Sequence, residues 1–173
     1  NQVDEKENYL LSQAILGDNN EFDYGVLQTD LTKLYTDAFT GKMPTPDLNK
    51  IINSIPGTIE SFQANKDIGD NPRLAFTELS NPNSKLYSNI PIDQRQKLIK
   101  NAKGVLLPEV QEEWKNYVAA AALGKEPVPF DLAFAKKILP PKTIALMNNQ
   151  LKVIDKTIKN TTILNSTPNK ELS

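Results

Sequence analysis

The apolar positions recur with helical spacing through most of the chain. From about Glu5 to Leu16 the residues Tyr9, Leu10, Leu11, Ala14 and Ile15 mark one face, and Gly17-Asp18 supplies a left-handed helix end. A second stretch, about Asn20 to Thr40, carries Phe22, Val26, Leu27, Leu31, Leu34, Tyr35, Ala38 and Phe39 and stops at Gly41. Together they predict a helical hairpin.

Thr45-Pro46-Asp47 predicts a third helix, with Thr45 as N-cap, Pro46 in the first turn where its missing N–H costs nothing, and Asp47 facing the positive end of the dipole. Leu48, Ile51, Ile52 and Ile55 form its stripe, and Pro56-Gly57 is expected to break or kink it. Residues 64 to 70 read as a loop. Asn71-Pro72 opens a short helix with Leu74, Ala75, Phe76 and Leu79, closed by the turn-rich Ser80-Asn81-Pro82-Asn83-Ser84.

From Pro91 to about Leu123 a single apolar face runs through Ile92, Leu98, Ile99, Ala102, Val105, Leu106, Val110, Trp114, Tyr117, Val118 and Ala121. Pro108 predicts a kink or break near Lys103-Gly104. After a connector from Lys125 to Pro129, Phe130, Leu132, Ala133, Phe134, Ile138 and Leu139 form a short helix up to Pro140-Pro141, and a last helix runs from about Lys142 to Asn160. No stretch alternates apolar and polar residues between hairpin turns. The expectation is an all-α array of about eight helices without a sheet: one domain over 1–160, with room for two subdomains dividing near 64–90, and a flexible tail over 161–173, too polar to offset its ordering entropy.

Composition narrows the chemistry more than the fold. A chain of 173 residues with 39% hydrophobic and 24% charged residues suits a soluble globule. Lys plus Arg number 20 against 21 Asp plus Glu, and the only arginines are Arg73 and Arg95, which argues against nucleic-acid binding. There is no Cys and no His. Disulfides, thiolate metal sites and the commonest general base and metal ligand are therefore excluded.

No apolar run reaches the roughly 20 residues of a membrane span, and Asn1 to Lys6 do not read as a signal peptide. The chain does not open on Met and is read as a trimmed or mature form, or as part of a longer protein. We expect no cofactor, no metal, no nucleic acid and no membrane span.

The sharpest spacing is Ile144, Met147, Leu151, Ile154 and Ile158, at steps of three and four along one face of the last helix. It is a candidate protein-interaction seam, and the same pattern serves a helix packed on its own domain. Thr58-Ile59-Glu60-Ser61-Phe62 contains the Glu-Ser pair found at the acid of lytic transglycosylases and goose-type lysozymes, but their accompanying Gly-Leu-Met-Gln and Ala-Tyr-Asn segments are missing. Glu60 is read as a solvated helix residue and no catalytic residue is assigned. Asp18, Glu21 and Asp23 lack the calcium-loop pattern, so capping by Asp18 or Asn19 is the better account. Lys97, Lys100 and Lys103, like Lys136, Lys137 and Lys142, read as solvated surface, and Trp114 and Tyr117 as core. The triplets at Asn160 and Asn165 match a glycosylation pattern common by chance in Asn-rich chains.

The order of the segments carries more than any one residue. Tyr9 to Asp18, then Asp37-Ala38-Phe39-Thr40-Gly41-Lys42-Met43-Pro44-Thr45-Pro46, then Asn71-Pro72-Arg73-Leu74-Ala75-Phe76-Thr77-Glu78-Leu79, Tyr87, and the run from Ile90 to Ala102 containing Arg95 and Leu98 resemble helical segments of phage and prophage virion proteins, including large tail or internal proteins. Ala120 to Lys125 and Val128 to Leu132 continue the likeness, which covers roughly residues 8 to 155. Pro56 and Pro108 depart from it, interrupting helices that are usually continuous there. The resemblance implies a non-catalytic structural module that acts through protein partners or self-association, located in the virion or the host cytoplasm. The alternatives are a periplasmic or secreted helical binding protein and a relative of cell-wall glycosidases.

Overall fold

The computed structural model describes residues 1–16, 23–125 and 129–166, with backbone only over 158–166. The described residues are helical with no strand: α1 (Gln2–Leu16), α2 (Tyr24–Phe39), α3 (Thr45–Asn53), α4 (Ile55–Asp70), α5 (Pro72–Ser80), α6 (Ile92–Ala122), α7 (Leu132–Ile138) and α8 (Pro141–Ser166). The chain divides into two compact units, Asn1–Lys103 and Gly104–Ser173. That division lies beyond the 64–90 stretch where it was expected. The reason is that α4, α5 and the following loop are tied together by side-chain hydrogen bonds.

In the first unit α1 packs against α2 and α4, and α2 also against α3 and α4. Their shared core is Leu11, Ile15, Leu27, Leu31, Tyr35, Leu48, Ile55 and Ile59, flanked by half-buried residues that include Leu34, Phe39 and Phe62. Each fully buried Leu or Ile in such a cluster contributes about 1.5–3 kcal/mol relative to exposure. Tyr35 is buried there with its hydroxyl turned to Glu7. The end of α2 falls where Gly41 takes a φ of 76°, a conformation that costs a glycine nothing.

Several boundaries differ from expectation. Asp23 caps α2, accepting from the Val26 N–H at 3.2 Å; residues 17–22, which hold Gly17, Asp18, Asn19 and Glu21, lie outside the described residues. Thr45 is the first helical residue of α3 and not its cap, which is Pro44. The break near Pro56 comes at Ser54, and Pro56 sits in the first turn of α4. The expected loop at 64–70 is helix, because Ala64 and Ile68 continue the buried face of Ile55 and Ile59 and α4 runs on to Asp70. Asn71 caps α5 as expected, its side chain accepting from Leu74 N–H at 3.3 Å.

No break occurs at Pro108: α6 is continuous from Ile92 to Ala122. Leu98, Ala102, Leu106 and Val110 are all buried at steps of four, so burial on both sides of the proline holds the helix together against the lost hydrogen bond. In the second unit Trp114, Tyr117 and Phe130 form a ring cluster, with centroids 5.6 Å apart for Trp114–Tyr117 and 5.2 Å for Trp114–Phe130. The Trp114 indole N–H donates to Gln150 at 3.1 Å. Ala135 and Ile138 on α7, Leu139 just after it and Met147 on α8 are buried. α8 extends to Ser166, so residues 161–166 of the expected tail are helical, and 167–173 lie outside the described residues.

Candidate functional site

The segment from Asn81 to Pro91, between α5 and α6, has no helix of its own, and side chains of three helices hold it in place. Arg95 donates one guanidinium N–H to the Leu79 carbonyl at 3.0 Å and another to the Tyr87 carbonyl. Tyr87, almost fully buried, donates its hydroxyl to Asp67 on α4 at 2.5 Å. Ser84, the one buried polar residue among those described, donates to Glu78 on α5. Glu60 accepts from Asn89 twice, from the backbone N–H at 2.8 Å and from the side-chain amide at 3.2 Å.

The fixed loop then passes so close to α4 that only glycine fits beneath it. A Cβ at Gly57 would lie 2.6 Å from the Asn89 carbonyl oxygen and 3.3 Å from Pro91 Cδ. Ile90 is buried at this crossing. Arg95, Leu98 and Ala102, spaced as in the segment that carries the virion-protein resemblance, thus have physical roles: two carbonyls satisfied and two core positions filled.

Electrostatics follow from this geometry. Burial pushes the Glu60 carboxyl above its ordinary value, opposed by the two Asn89 hydrogen bonds and by the charge of Arg95. Glu60 is therefore a half-buried loop anchor with both oxygens engaged, and not the solvated helix residue expected. The Tyr87 and Tyr35 phenols are both raised well above the usual tyrosine range, first by burial and then by the carboxylates of Asp67 and Glu7 that accept from them.

Beside the anchored loop lies an open groove of about 560 Å³. α1 contributes Glu7, Asn8 and Leu11; the α3–α4 junction Asn53 and Ser54; α4 Gly57, Thr58, Ser61, Phe62 and Asn65; and the loop with the start of α6 Asn89, Pro91 and Gln94. The lining is mainly amides and hydroxyls with no lysine or arginine. Such a surface can hydrogen-bond a neutral polar ligand and offers no positive charge to an anion. Glu60 does not line it, and Glu7 already accepts the Tyr35 hydroxyl at 2.6 Å.

The expected seam on α8 is only partly in the core. Met147 is buried and Ile144, Leu151 and Ile154 are half-buried; the Ile158 side chain lies outside the described residues. The opposite face of α8 was not singled out from the sequence, yet it exposes Leu146 at 65% and Val153 at 66%. Lys142, Leu146, Asn149, Val153 and Lys156 follow one another there at steps of four and three, a spacing that could have marked the face. On α1, Tyr9 and Leu16 are likewise exposed at 65% and 53%, seven residues apart.

The lysines of both expected strips are exposed. Among the described residues no group of acidic side chains is arranged to hold a metal ion, and no helix is long and apolar enough to cross a membrane. No family model, curated protein or solved structure matches the chain, so its own residues carry the functional reading.

Proposed function

We propose that this chain is a non-catalytic structural module of a phage-type virion or tail-associated protein and works through protein–protein contacts. The observation that carries this reading is the outer face of α8, where Leu146 and Val153 stand in solvent one heptad apart while Met147 on the other side is buried. A single exposed apolar residue needs no explanation, but two at heptad spacing on one helix make a contact surface for another helix. The segment resemblance supplies the virion setting. The engagement of both Glu60 oxygens by Asn89 supports a structural over a glycosidic role for that residue.

Light scattering over a range of concentrations, run beside a peptidoglycan-hydrolysis assay, tests the reading. Association that grows with concentration, without hydrolysis, is expected. Hydrolysis that disappears in Glu60→Gln would overturn it in favour of a cell-wall glycosidase.

The groove on the first unit supports a second reading, a helical binding protein. Its volume falls within the roughly 300–1,000 Å³ of small-molecule sites. Its amide and hydroxyl lining suits a neutral hydroxylated ligand better than an apolar one. Saturable NMR shifts at Asn8 and Asn53 on titration with cellobiose would favour this reading, and unchanged spectra would remove it.

A further inference from the structure

The exposed faces of α1 and α8 match each other position by position. On α1, Glu5, Tyr9, Ser12 and Leu16 follow at steps of four, three and four; on α8, Lys142, Leu146, Asn149 and Val153 do the same. Laid parallel in that register, the two faces set Glu5 against Lys142, Tyr9 against Leu146, Ser12 against Asn149 and Leu16 against Val153. Every pairing is complementary: one charge pair, two apolar contacts and one polar layer.

We infer that α1 of one copy docks on α8 of a second copy, a head-to-tail contact through which the chain assembles. The inference rests on the structural reading above and specifies its partner. Charge chooses this occupant over the symmetric one. Two α8 faces paired in parallel would set Lys142 against Lys142 and Lys156 against Lys156, and neither face carries a carboxylate to relieve them. α1 opens on Asp4, Glu5 and Glu7 with only Lys6 to offset them, whereas α8 carries Lys142, Lys152, Lys156 and Lys159 against Asp155.

Lys142 also sits in the first turn of α8, where a positive charge opposes the helix dipole and no acidic residue is present. Glu5 of the neighbouring copy supplies the missing negative charge there. Because donor and acceptor faces differ, the contact is heterologous, so it propagates into rings or filaments and does not stop at a dimer. Two apolar side chains from each helix make a contact at the small end of the interface range, below about 1,200 Å² in total. Assembly is accordingly weak and driven by concentration.

The experiment uses the full chain and two variants at exposed positions, Tyr9→Asp and Val153→Asp, with circular dichroism to verify that helicity is kept. By light scattering the parent's mass grows with concentration, and each variant alone loses that growth. An equimolar mixture of the variants regains a two-copy complex and goes no further, because each supplies the one intact face the other lacks. A charge exchange gives a second readout: Glu5→Lys weakens assembly, and adding Lys142→Glu in the same chain restores it.

A parent that stays monomeric overturns the inference. So does assembly that survives both variants, or a mixture that remains monomeric after each variant alone has lost assembly. Assembly surviving both variants leaves the structural reading in place on another surface. That reading falls on a different result, Glu60-dependent peptidoglycan hydrolysis.

Discussion

Glu60 holds Asn89 at two points, its carboxylate accepting the backbone N–H at 2.8 Å and the side-chain amide at 3.2 Å across 29 residues of chain. The pair pins the far end of the α5–α6 loop to α4. Asn89 is exposed, so water can replace the carboxylate when it is removed. Glu60→Ala should therefore lower stability by only about 1 kcal/mol, the usual net worth of such bonds. It should also speed hydrogen exchange at the Asn89 amide. Unchanged exchange there would show that Arg95 and Tyr87 hold the loop without Glu60.

Gly57 is a sharper constraint, because the clash is with backbone. The 2.6 Å approach of a Cβ to the Asn89 carbonyl oxygen forces either the helix or the loop to move. Gly57→Ala should cost about 1–3 kcal/mol, as overpacking does. With Glu60→Ala in the same chain the loop can retreat and the penalty should shrink, giving a coupling of about 0.5 kcal/mol or more. Urea midpoints of the two single variants and the double variant measure it.

Tyr35 and Tyr87 predict a loss of stability in alkali. Each phenol donates to a carboxylate, and burial followed by that carboxylate raises both above the ordinary value of 10.0. Above pH 10 the unfolded chain gives up protons that the native state keeps, so unfolding is favoured as pH rises. The contribution is complete below pH 10 and is lost as pH climbs toward the folded-state values. The double variant Tyr35→Phe with Tyr87→Phe should be less stable at neutral pH, by about 1 kcal/mol per lost hydrogen bond, and should show a shallower decline above pH 10. Urea midpoints across that range decide it; parallel curves would contradict the assignment.

The parts of the fold that were legible in the sequence are those set by local chemistry. Asn71-Pro72 opens α5 with an Asn cap and a first-turn proline, and Gly41 ends α2 because its φ of 76° suits no other residue as well. What was not legible depends on distant partners. Asn65, Lys66 and Asp67 look like loop residues until Ala64 and Ile68 are buried and Asp67 meets Tyr87, 20 residues on. The double hold of Glu60 on Asn89 has no signature in either residue's neighbourhood. On α8 two apolar stripes compete, Ile144-Met147-Leu151-Ile154 and Leu146-Val153, and periodicity cannot say which one the core takes. The structure buries the first in part and leaves the second in solvent.

Pro108 gives the last prediction, because the helix it was expected to break is whole. A proline has no N–H for the carbonyl four residues earlier, which here belongs to Gly104, and its ring crowds that carbonyl. Both residues are exposed, and a Cβ at Gly104 would meet nothing within 4 Å. Gly104→Ala should therefore stabilise the chain by about 0.5–1 kcal/mol, and Pro108→Ala by up to about 3 kcal/mol as the missing hydrogen bond forms. Both gains should appear as higher urea midpoints with equal or greater helicity by circular dichroism. If Pro108→Ala instead loses stability, the local geometry that the proline imposes is what lets Leu106 and Val110 reach their buried positions, and the helix is shaped by its proline, not merely tolerant of it.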